Sequence, residues 1–82
     1  MGHSPRERPK HLGSKLLAIR QKLGMSQTQM SKALGLKVHY SAVSNFELGT
    51  REPTLLIVLK YARLARVPME TLVDDKLTLP DR

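Results

Sequence analysis

Three glycines divide the middle of this chain into short segments, and this division limits the folds that the chain can adopt. Gly24, Gly35 and Gly49 each follow a stretch of helix-forming residues, where glycine readily takes the left-handed conformation that ends a helix. Directly after the first glycine, Ser26 and Gln29 have the spacing of a capping box, which marks a helix start. The sequence therefore predicts a central helix of only about two and a half turns, followed closely by another.

Apolar residues at helical spacing extend this pattern to five helices. The first helix is predicted over residues 12–23, the second after the capping box, and the third from about Tyr40 to Leu48. The start of the third helix is open among His39, Tyr40 and Ser41, because no strong capping residue precedes it. The pattern is typical of an all-α fold.

The fourth helix is the most apolar segment of the chain, and Thr54 is placed to cap its start. Its predicted inner face consists of the residues Leu55, Val58, Leu59, Ala62 and Ala65. A fifth, shorter helix is predicted to begin near Pro68, with Met69, Leu72 and Val73 directed inward.

The size and composition of the chain confine it to one small domain. Its 82 residues can bury one modest core. Cysteine is absent, so disulfides, thiolate metal sites and thiol nucleophiles are excluded, and a reducing cytoplasm is the expected location. The longest apolar run is far shorter than the roughly 20 residues that span a bilayer, so no membrane partner is expected.

The charge of the chain is strongly basic and unevenly distributed. Lys and Arg number 14 against 7 Asp and Glu, which gives a formal net charge of +7. The first quarter is mostly cationic, whereas most of the acidic residues lie near the end. Such a field attracts polyanions, of which nucleic acid is the commonest.

Composition and periodicity together predict three segments. Residues 1–10 are predicted to form a flexible basic arm, residues 11–74 the helical domain, and residues 75–82 a C-terminal tail. The prolines of the arm interrupt any regular structure there. We therefore expect the core to lie entirely within the central segment.

Two features lie at the boundary of the tail. Asp74 and Asp75 are interpreted as the frayed end of the last helix rather than as an acid and base pair. A weak alternation at Leu77 and Leu79 would suit a strand added to a partner protein.

Seven short motifs occur in a defined order along the chain. They are Leu12-Gly13, Ile19-Arg20, Gly24-Met25-Ser26-Gln27, Ala33-Leu34-Gly35, Phe46-Glu47-x-Gly49, Pro53 and Leu72. As an ordered set within residues 12–73, they resemble the lambda-repressor-like helix-turn-helix family that includes Cro and the Xre regulators. The resemblance implies a compact five-helix all-α domain that binds double-stranded DNA sequence-specifically. It further implies a transcriptional repressor that binds a palindromic operator as a dimer.

The resemblance also implies which residues contact bases. Tyr40, Ser41, Ser44 and Asn45 fall on the outward positions of the third helix, where members of the family touch base edges. The amide of Asn45 can pair with adenine through two hydrogen bonds, so this residue is the favoured candidate for direct readout. The alternative for Ser44 and Asn45 is a solvated polar surface without a binding role.

Phosphate contacts are implied at the start of the second helix and after the third. Gln27 corresponds to the glutamine with which the family clamps a phosphate. Arg51 and the amide of Thr50 lie in the turn where relatives make a second phosphate contact. Further contacts are expected from the basic residues Lys15, Arg6, Arg8 and Lys10. The alternative role of the arm's charges is solubility.

The resemblance also implies a structural ion pair, and the sequence departs from the family pattern at residues 36–39 and at Arg66. Arg20 and Glu47 stand where the family places a largely buried ion pair between the first helix and the end of the third. Residues 36–39 form a larger turn than is usual, and the tilt of the third helix depends on it. Arg66 replaces the usual glycine after the fourth helix.

Several partners remain open on the residues alone. Leu56, Ile57 and Leu64 exceed what one inward stripe of the fourth helix uses, so a homodimer through them or the tail is expected. A second intramolecular neighbour is the alternative for these residues. A rival function is an antitoxin-type module that neutralises a partner protein, since this fold also serves that role. RNA binding is less favoured, because aromatic residues that stack on bases are few.

No enzymatic activity, cofactor or metal is expected. The residues His3, His11 and His39 share no spacing typical of metal ligands, and there is no cysteine to join them. The sequence also offers no set of nucleophile, base and orienting group, and no glycine-rich phosphate loop.

Overall fold

The computed structural model describes residues 9–35 and 39–80, and over these ranges the chain forms five helices and no strand. The helices are α1 (Leu12–Lys22), α2 (Gln27–Leu34), α3 (Tyr40–Leu48), α4 (Leu55–Ala65) and α5 (Met69–Val73). The all-α prediction is confirmed. Arg6, Arg8, His3 and most of the enlarged turn at residues 36–39 lie outside the described residues. Within the described part, no helix is both long and apolar enough to cross a bilayer.

The helix ends follow the local signals in the sequence. Ser26 Oγ accepts a hydrogen bond from the Gln29 backbone N–H at 3.0 Å, and Gln29 Oε1 accepts one from the Ser26 N–H at 2.8 Å. Gly24, Gly35 and Gly49 have φ values of 70°, 66° and 79°, which place them in the left-handed region. The capping box and the glycine stops therefore fix the short α2 and the approach to α3 as predicted.

The core lies where all five helices meet. Its members with the largest fully buried side chains are Tyr61, Leu16, Met30, Leu34, Leu72 and Val43. The helix α3 packs against both α1 and α2, and α4 packs against α5. The central position of α3 means that its orientation depends on contacts from two sides.

The buried face of α4 differs from the predicted one. Leu55, expected inside, is 73% exposed, whereas Ile57 and Tyr61 are buried at 7% and 0% exposure. An apolar helix of this kind offers more than one apolar stripe, so periodicity alone does not decide which one is buried. Packing against the other helices selects the stripe that contains Val58 and Ala62 as well.

Two apolar residues at helix ends are also more exposed than their helical spacing predicts. Leu23, at the end of α1, and Val73, at the end of α5, are each 39% exposed. Both lie at helix ends, where the chain turns away from the core. Both residues therefore lie on the apolar face of their helix but outside the buried core.

Lys15 is buried and is not available for the phosphate contact expected of it. Its side chain is only 7% exposed, and Nζ donates to the carbonyl oxygens of Thr71 at 2.8 Å and Asp74 at 2.9 Å. These carbonyls lie at the C-terminal end of α5, where intrahelical partners are missing. Lys15 therefore joins α1 to α5, and the prediction of a phosphate contact is wrong for this residue.

A second lysine has an equivalent role at α2. Lys60 Nζ donates to the Leu34 carbonyl at 2.8 Å, so α4 supplies a hydrogen bond to the last turn of α2. A cation at this end of a helix also interacts favourably with the helix dipole. Each of the two lysines thus binds the C-terminal end of a helix that is distant from it in sequence.

Asp75 does not belong to a frayed end. Its carboxylate accepts hydrogen bonds from the backbone N–H groups of Lys10 at 2.9 Å and His11 at 3.0 Å, just before α1. These two bonds lower the pKa of the Asp75 carboxyl below its usual value. Beyond it, Leu79 packs against the core cluster, and Lys22 Nζ lies 3.4 Å from the carbonyl oxygen of Pro80. The described part of the tail is thus attached to both ends of α1.

Gly13 lies where the backbones of α1 and α3 approach most closely. A Cβ atom at this position would be 2.7 Å from the carbonyl oxygen of Glu47 and 2.9 Å from that of Phe46. Both neighbours are backbone atoms, so they can give way only if one helix shifts. Glycine at this position permits the crossing of the two helices.

Arg66 ends α4 in a conformation that favours glycine. Its φ of 59° makes it the only residue other than glycine with positive φ in the described chain. The Arg66 N–H donates to Arg63 O at 3.2 Å, and the Val67 N–H donates to Ala62 O at 3.0 Å. The helix end is therefore well hydrogen-bonded in spite of the strain on Arg66.

We predict that Gly13→Ala destabilises the domain. Overpacking costs about 1–3 kcal/mol, which exceeds the gain in helix propensity of up to about 1 kcal/mol that alanine brings. Urea unfolding monitored by circular dichroism measures the difference. Gln21→Ala, at an exposed position of the same helix, is the control and should stay within about 0.5 kcal/mol of the parent. A Gly13→Ala variant as stable as the parent would show that α1 and α3 do not approach this closely.

We predict that Arg66→Gly stabilises the domain by up to about 1 kcal/mol. The variant removes a left-handed strain of about 1–2 kcal/mol, and the greater freedom of glycine in the unfolded chain offsets about 0.4–1 kcal/mol of that gain. Gly49→Ala is the matched opposite, since its φ is +79° and a Cβ there would meet nothing within 4 Å. Gly49→Ala should therefore lower the stability of the domain through backbone strain alone, without a steric clash. Thermal unfolding of both variants tests the pair, and a lower melting temperature for Arg66→Gly would contradict the explanation.

Candidate nucleic-acid interface

The helix α3 presents a polar face on the side away from the core. Its buried residues are Ala42, Val43 and Phe46, which pack inward. Ser41, Ser44 and Asn45 recur at the spacing of one helical face, and Ser44 and Asn45 are half-buried while Ser41 is exposed. With Tyr40, which is 51% exposed, the structure brings all four predicted base-contacting residues to the accessible part of one helix.

The first turn of α3 is held by contacts between neighbouring residues. His39 is the N-cap, and its Nδ1 accepts a hydrogen bond from the Ser41 backbone N–H at 3.2 Å. The same nitrogen lies 2.9 Å from Ser41 Oγ. The rings of His39 and Tyr40 have centroids 4.4 Å apart and are tilted by 36°. Histidine thus caps a helix start at which the sequence offered no Ser, Thr, Asp or Asn at the preceding position.

The backbone carbonyl of Asn45 is hydrogen-bonded within the protein, whereas its side-chain amide is not. Its backbone carbonyl accepts hydrogen bonds from the N–H groups of Thr50 at 3.0 Å and Arg51 at 3.3 Å, which close the end of α3. Its side-chain amide has no hydrogen bond within the described residues. A carboxamide offers two donors and one acceptor, so it can bind an adenine edge through two hydrogen bonds.

The backbone amide of Thr50 is not free for the phosphate contact expected of it. This N–H already donates to the Asn45 carbonyl, and the Thr50 hydroxyl lies 3.3 Å from the same oxygen. The prediction of a phosphate contact through the Thr50 amide is therefore wrong for the structure as it stands. Arg51, next in the chain, keeps an exposed guanidinium group, with Cζ 5.8 Å from the centroid of the Phe46 ring.

An ion pair joins α1 to the C-terminal end of α3. Arg20 Nε lies 2.6 Å from Glu47 Oε2, and Nη2 donates to Oε1 at 3.2 Å, so the contact is bidentate. The side chains are 15% and 5% exposed, respectively. Arg20 Nη1 also donates to the Met25 carbonyl at 2.9 Å, in the turn before α2. One guanidinium group thus contacts the polar groups of two neighbouring segments.

Gln27 completes this network from the start of α2. Its Nε2 donates to Glu47 Oε1 at 3.2 Å, so the carboxylate accepts hydrogen bonds from both α1 and α2. An amide nitrogen has two N–H groups, and one of them remains for a ligand. The residue predicted to clamp a phosphate is therefore fixed to the end of the predicted reading helix.

Tyr61 lies beneath the pair and was not singled out by its sequence. Its side chain is fully buried, and its hydroxyl has no hydrogen-bond partner among the described residues. Burial, followed by the negative charge of Glu47, raises the pKa of Tyr61, so the phenol stays neutral. Only the packing of α4 in the core brings Tyr61 close to the ion pair.

Within the described residues, no group of three or more His, Cys, Asp or Glu side chains is placed to hold a metal ion. The described histidines have other surroundings. His11 precedes α1, where its N–H donates to Asp75, and His39 caps α3. His3 lies outside the described residues.

We predict that Glu47→Ala destabilises the domain by about 3–5 kcal/mol, because Arg20 would be left with its charge largely buried and unpaired. Glu70→Ala, at an exposed position in α5, is the control and should change stability by no more than about 0.5 kcal/mol. The double variant Arg20→Met with Glu47→Leu should recover much of the loss. Chemical unfolding of the parent and the three variants measures these differences in stability. A Glu47→Ala variant that melts like the parent would exclude an important role for the pair.

Comparisons with known proteins agree with this geometry. A helix-turn-helix family model matches residues 16–72, which is most of the chain. Among solved structures, the chain is similar to the P22 c2 repressor, whose crystal structure was determined in complex with the synthetic operator 9T in the presence of Tl⁺. The TM-score is 0.69 at 25% sequence identity, and the match covers 78% of this chain and 94% of that one. No curated protein matches the sequence significantly. The helix-turn-helix formed by α2 and α3, with α3 packed against α1, agrees with the match to the family model. The chain therefore belongs to the lambda repressor-like helix-turn-helix family.

Proposed function

We propose that this protein is a transcriptional regulator that binds double-stranded DNA sequence-specifically, and that it represses transcription from a palindromic operator which it binds as a dimer. The observation that carries the proposal is the polar face of α3, whose Asn45 amide makes no hydrogen bond within the described protein. The similar P22 c2 repressor was crystallised on an operator, which supports the same type of ligand here.

In this proposal α3 enters the major groove. Asn45 pairs with an adenine edge, and Ser44 donates to or accepts from a neighbouring base. Tyr40 and Ser41, in the first turn, contact the bases or sugars that lie closer to the start of the helix. The hydrogen bond between His39 and Ser41 limits the rotamers of Ser41, which restricts the direction of its hydroxyl.

Contacts to the DNA backbone determine how α3 is positioned in the groove. Gln27 uses its second amide N–H for a phosphate oxygen, supported by the N-terminal amides of α2. Arg51 supplies a charge in the turn after α3, where the cation–π contact with Phe46 limits its motion. Lys10 is exposed and can add a further contact, as can Arg6 and Arg8 of the arm, which lie outside the described residues.

We propose a dimer contact that differs in part from the one expected from the sequence. Ile57 is buried in the core, so it is not free for a second copy, and Leu64 is partly buried against that core. Leu56 is 54% exposed, and Leu48 and Leu55 are 72% and 73% exposed. We assign the dimer contact to these three exposed leucines. A twofold arrangement sets the two reading helices about 34 Å apart, one turn of DNA.

The same leucines would also suit an antitoxin-type module that neutralises a partner protein. Exposed apolar side chains of this size are typical of protein contacts, whichever protein provides the other side. The two functions differ in what the polar face of α3 does. Only a DNA-binding regulator requires Asn45 to discriminate between base pairs.

Selection of binding sites from random duplexes, followed by titration of the selected site, tests the proposal. We expect an inverted repeat with half-sites about one turn apart. Asn45→Ala should weaken binding to that site by about 1–3 kcal/mol, roughly five- to 150-fold, and leave the weak affinity for unrelated duplexes unchanged. Arg51→Ala should weaken binding to all duplexes alike and reduce the salt dependence by about one ion. Gln21→Ala is the control and should bind like the parent.

Other outcomes would contradict particular parts of the proposal. Equal, purely ionic affinity for every duplex would exclude sequence-specific binding. A selected site without inverted symmetry would exclude the dimer on a palindrome while leaving base readout by α3 intact. Retained specificity in Asn45→Ala would show that another residue reads the base.

A further inference from the structure

An open groove of about 550 Å³ lies between the C-terminal ends of α1 and α4, on a different part of the domain from α2 and α3. Its apolar wall includes Ile19, Leu23, Leu64, Val67 and Leu79. A volume of this size is within the range of small-molecule sites, which are typically apolar with a few placed polar groups. None of its lining residues belongs to the proposed DNA interface.

Two cationic residues line this apolar groove. Among the described residues that line it, Lys22 and Arg66 are cationic and none is acidic. Lys22 Nζ makes a single long hydrogen bond, 3.4 Å to the Pro80 carbonyl, although an ammonium group has three donors. Arg66 is exposed, and its guanidinium group has no hydrogen bond or ion pair with another described residue. Within residues 9–35 and 39–80, the groove therefore combines apolar walls with two positive charges that no described carboxylate pairs.

The backbone at Arg66 is a second reason to assign a role to this side chain. Its φ of 59° is strained for any residue other than glycine, and glycine ends α2 and α3 in the same conformation. Glycine would therefore be sufficient to end α4, and the side chain of Arg66 is not needed for this purpose. Local strain that persists at a cavity is a reason to look for a function of the residue that carries it.

We infer that this groove binds a small molecule with an apolar body and one carboxylate group. The apolar body lies against Leu23, Leu64 and Leu79, and the carboxylate accepts hydrogen bonds from Arg66 and Lys22. A guanidinium group suits a carboxylate because it can offer two parallel N–H donors. Such a ligand does not need to displace α3, so its binding is independent of the proposed DNA binding and can be measured without DNA.

Titration of the full chain with octanoate, monitored by amide NMR shifts, tests the inference. Octanol and octylammonium have the same apolar chain with a neutral or a positive head group. We expect saturable binding of one octanoate, with the shifts confined to the groove, and binding of the other two probes at least about fivefold weaker.

The variants are chosen so that folding does not obscure the result. Arg66→Gly removes the guanidinium group and relieves backbone strain, so it should stay folded while it weakens octanoate binding about five- to tenfold. Lys22→Gln should weaken binding in the same direction. Arg63→Gln changes an exposed arginine in the last turn of α4 that does not line the groove, and it should leave binding unchanged.

Four results would overturn the inference. They are the absence of saturable octanoate binding, equal affinity for octanol, equal affinity in Arg66→Gly, and shifts located outside the groove. Shifts of the groove residues that appear on raising the protein concentration without ligand would show instead that a second copy of the chain occupies it. Loss of DNA binding would have no bearing on any of these readings.

Discussion

The ion pair between Arg20 and Glu47 is the interaction on which the arrangement of α1, α2 and α3 depends. Glu47 accepts hydrogen bonds from Arg20 of α1 and from Gln27 of α2, and Arg20 also reaches the turn before α2. Both charges are largely removed from water, so each requires the other. The C-terminal end of α3 is thus fixed to the two helices that flank it.

Close backbone contact acts together with this pair. Gly13 lets α1 approach the carbonyl groups of Phe46 and Glu47, next to the point at which Arg20 binds the Glu47 side chain. The ion pair and the close approach at Gly13 therefore both set the position of the C-terminal end of α3. A helix positioned in this way can present Asn45 at a defined angle, which sequence readout by hydrogen bonds requires.

Several helix ends are completed by side chains from distant parts of the chain. Lys15 binds the carbonyl groups at the end of α5, Lys60 binds the end of α2, and Asp75 binds the N–H groups before α1. A domain of this size has a small core, so the pairing of these otherwise unsatisfied groups contributes a larger share of its stability. Two of the three charges come from segments whose sequence suggested a different role, a phosphate contact for Lys15 and a frayed end for Asp75.

The sequence by itself determined where α2 begins and ends, where α3 ends, and which residues form the polar face of α3. These features depend on local signals, the capping box at Ser26 and the glycine stops, which act between residues a few positions apart. Only the tertiary structure decided which stripe of α4 is buried, that Tyr61 lies beneath the ion pair, and which leucines stay exposed. It also decided that Lys15 and the amide of Thr50 are engaged within the protein. The physical reason is that burial and hydrogen bonding are set by contacts between residues distant in sequence, and periodicity along one helix carries no information about its neighbours.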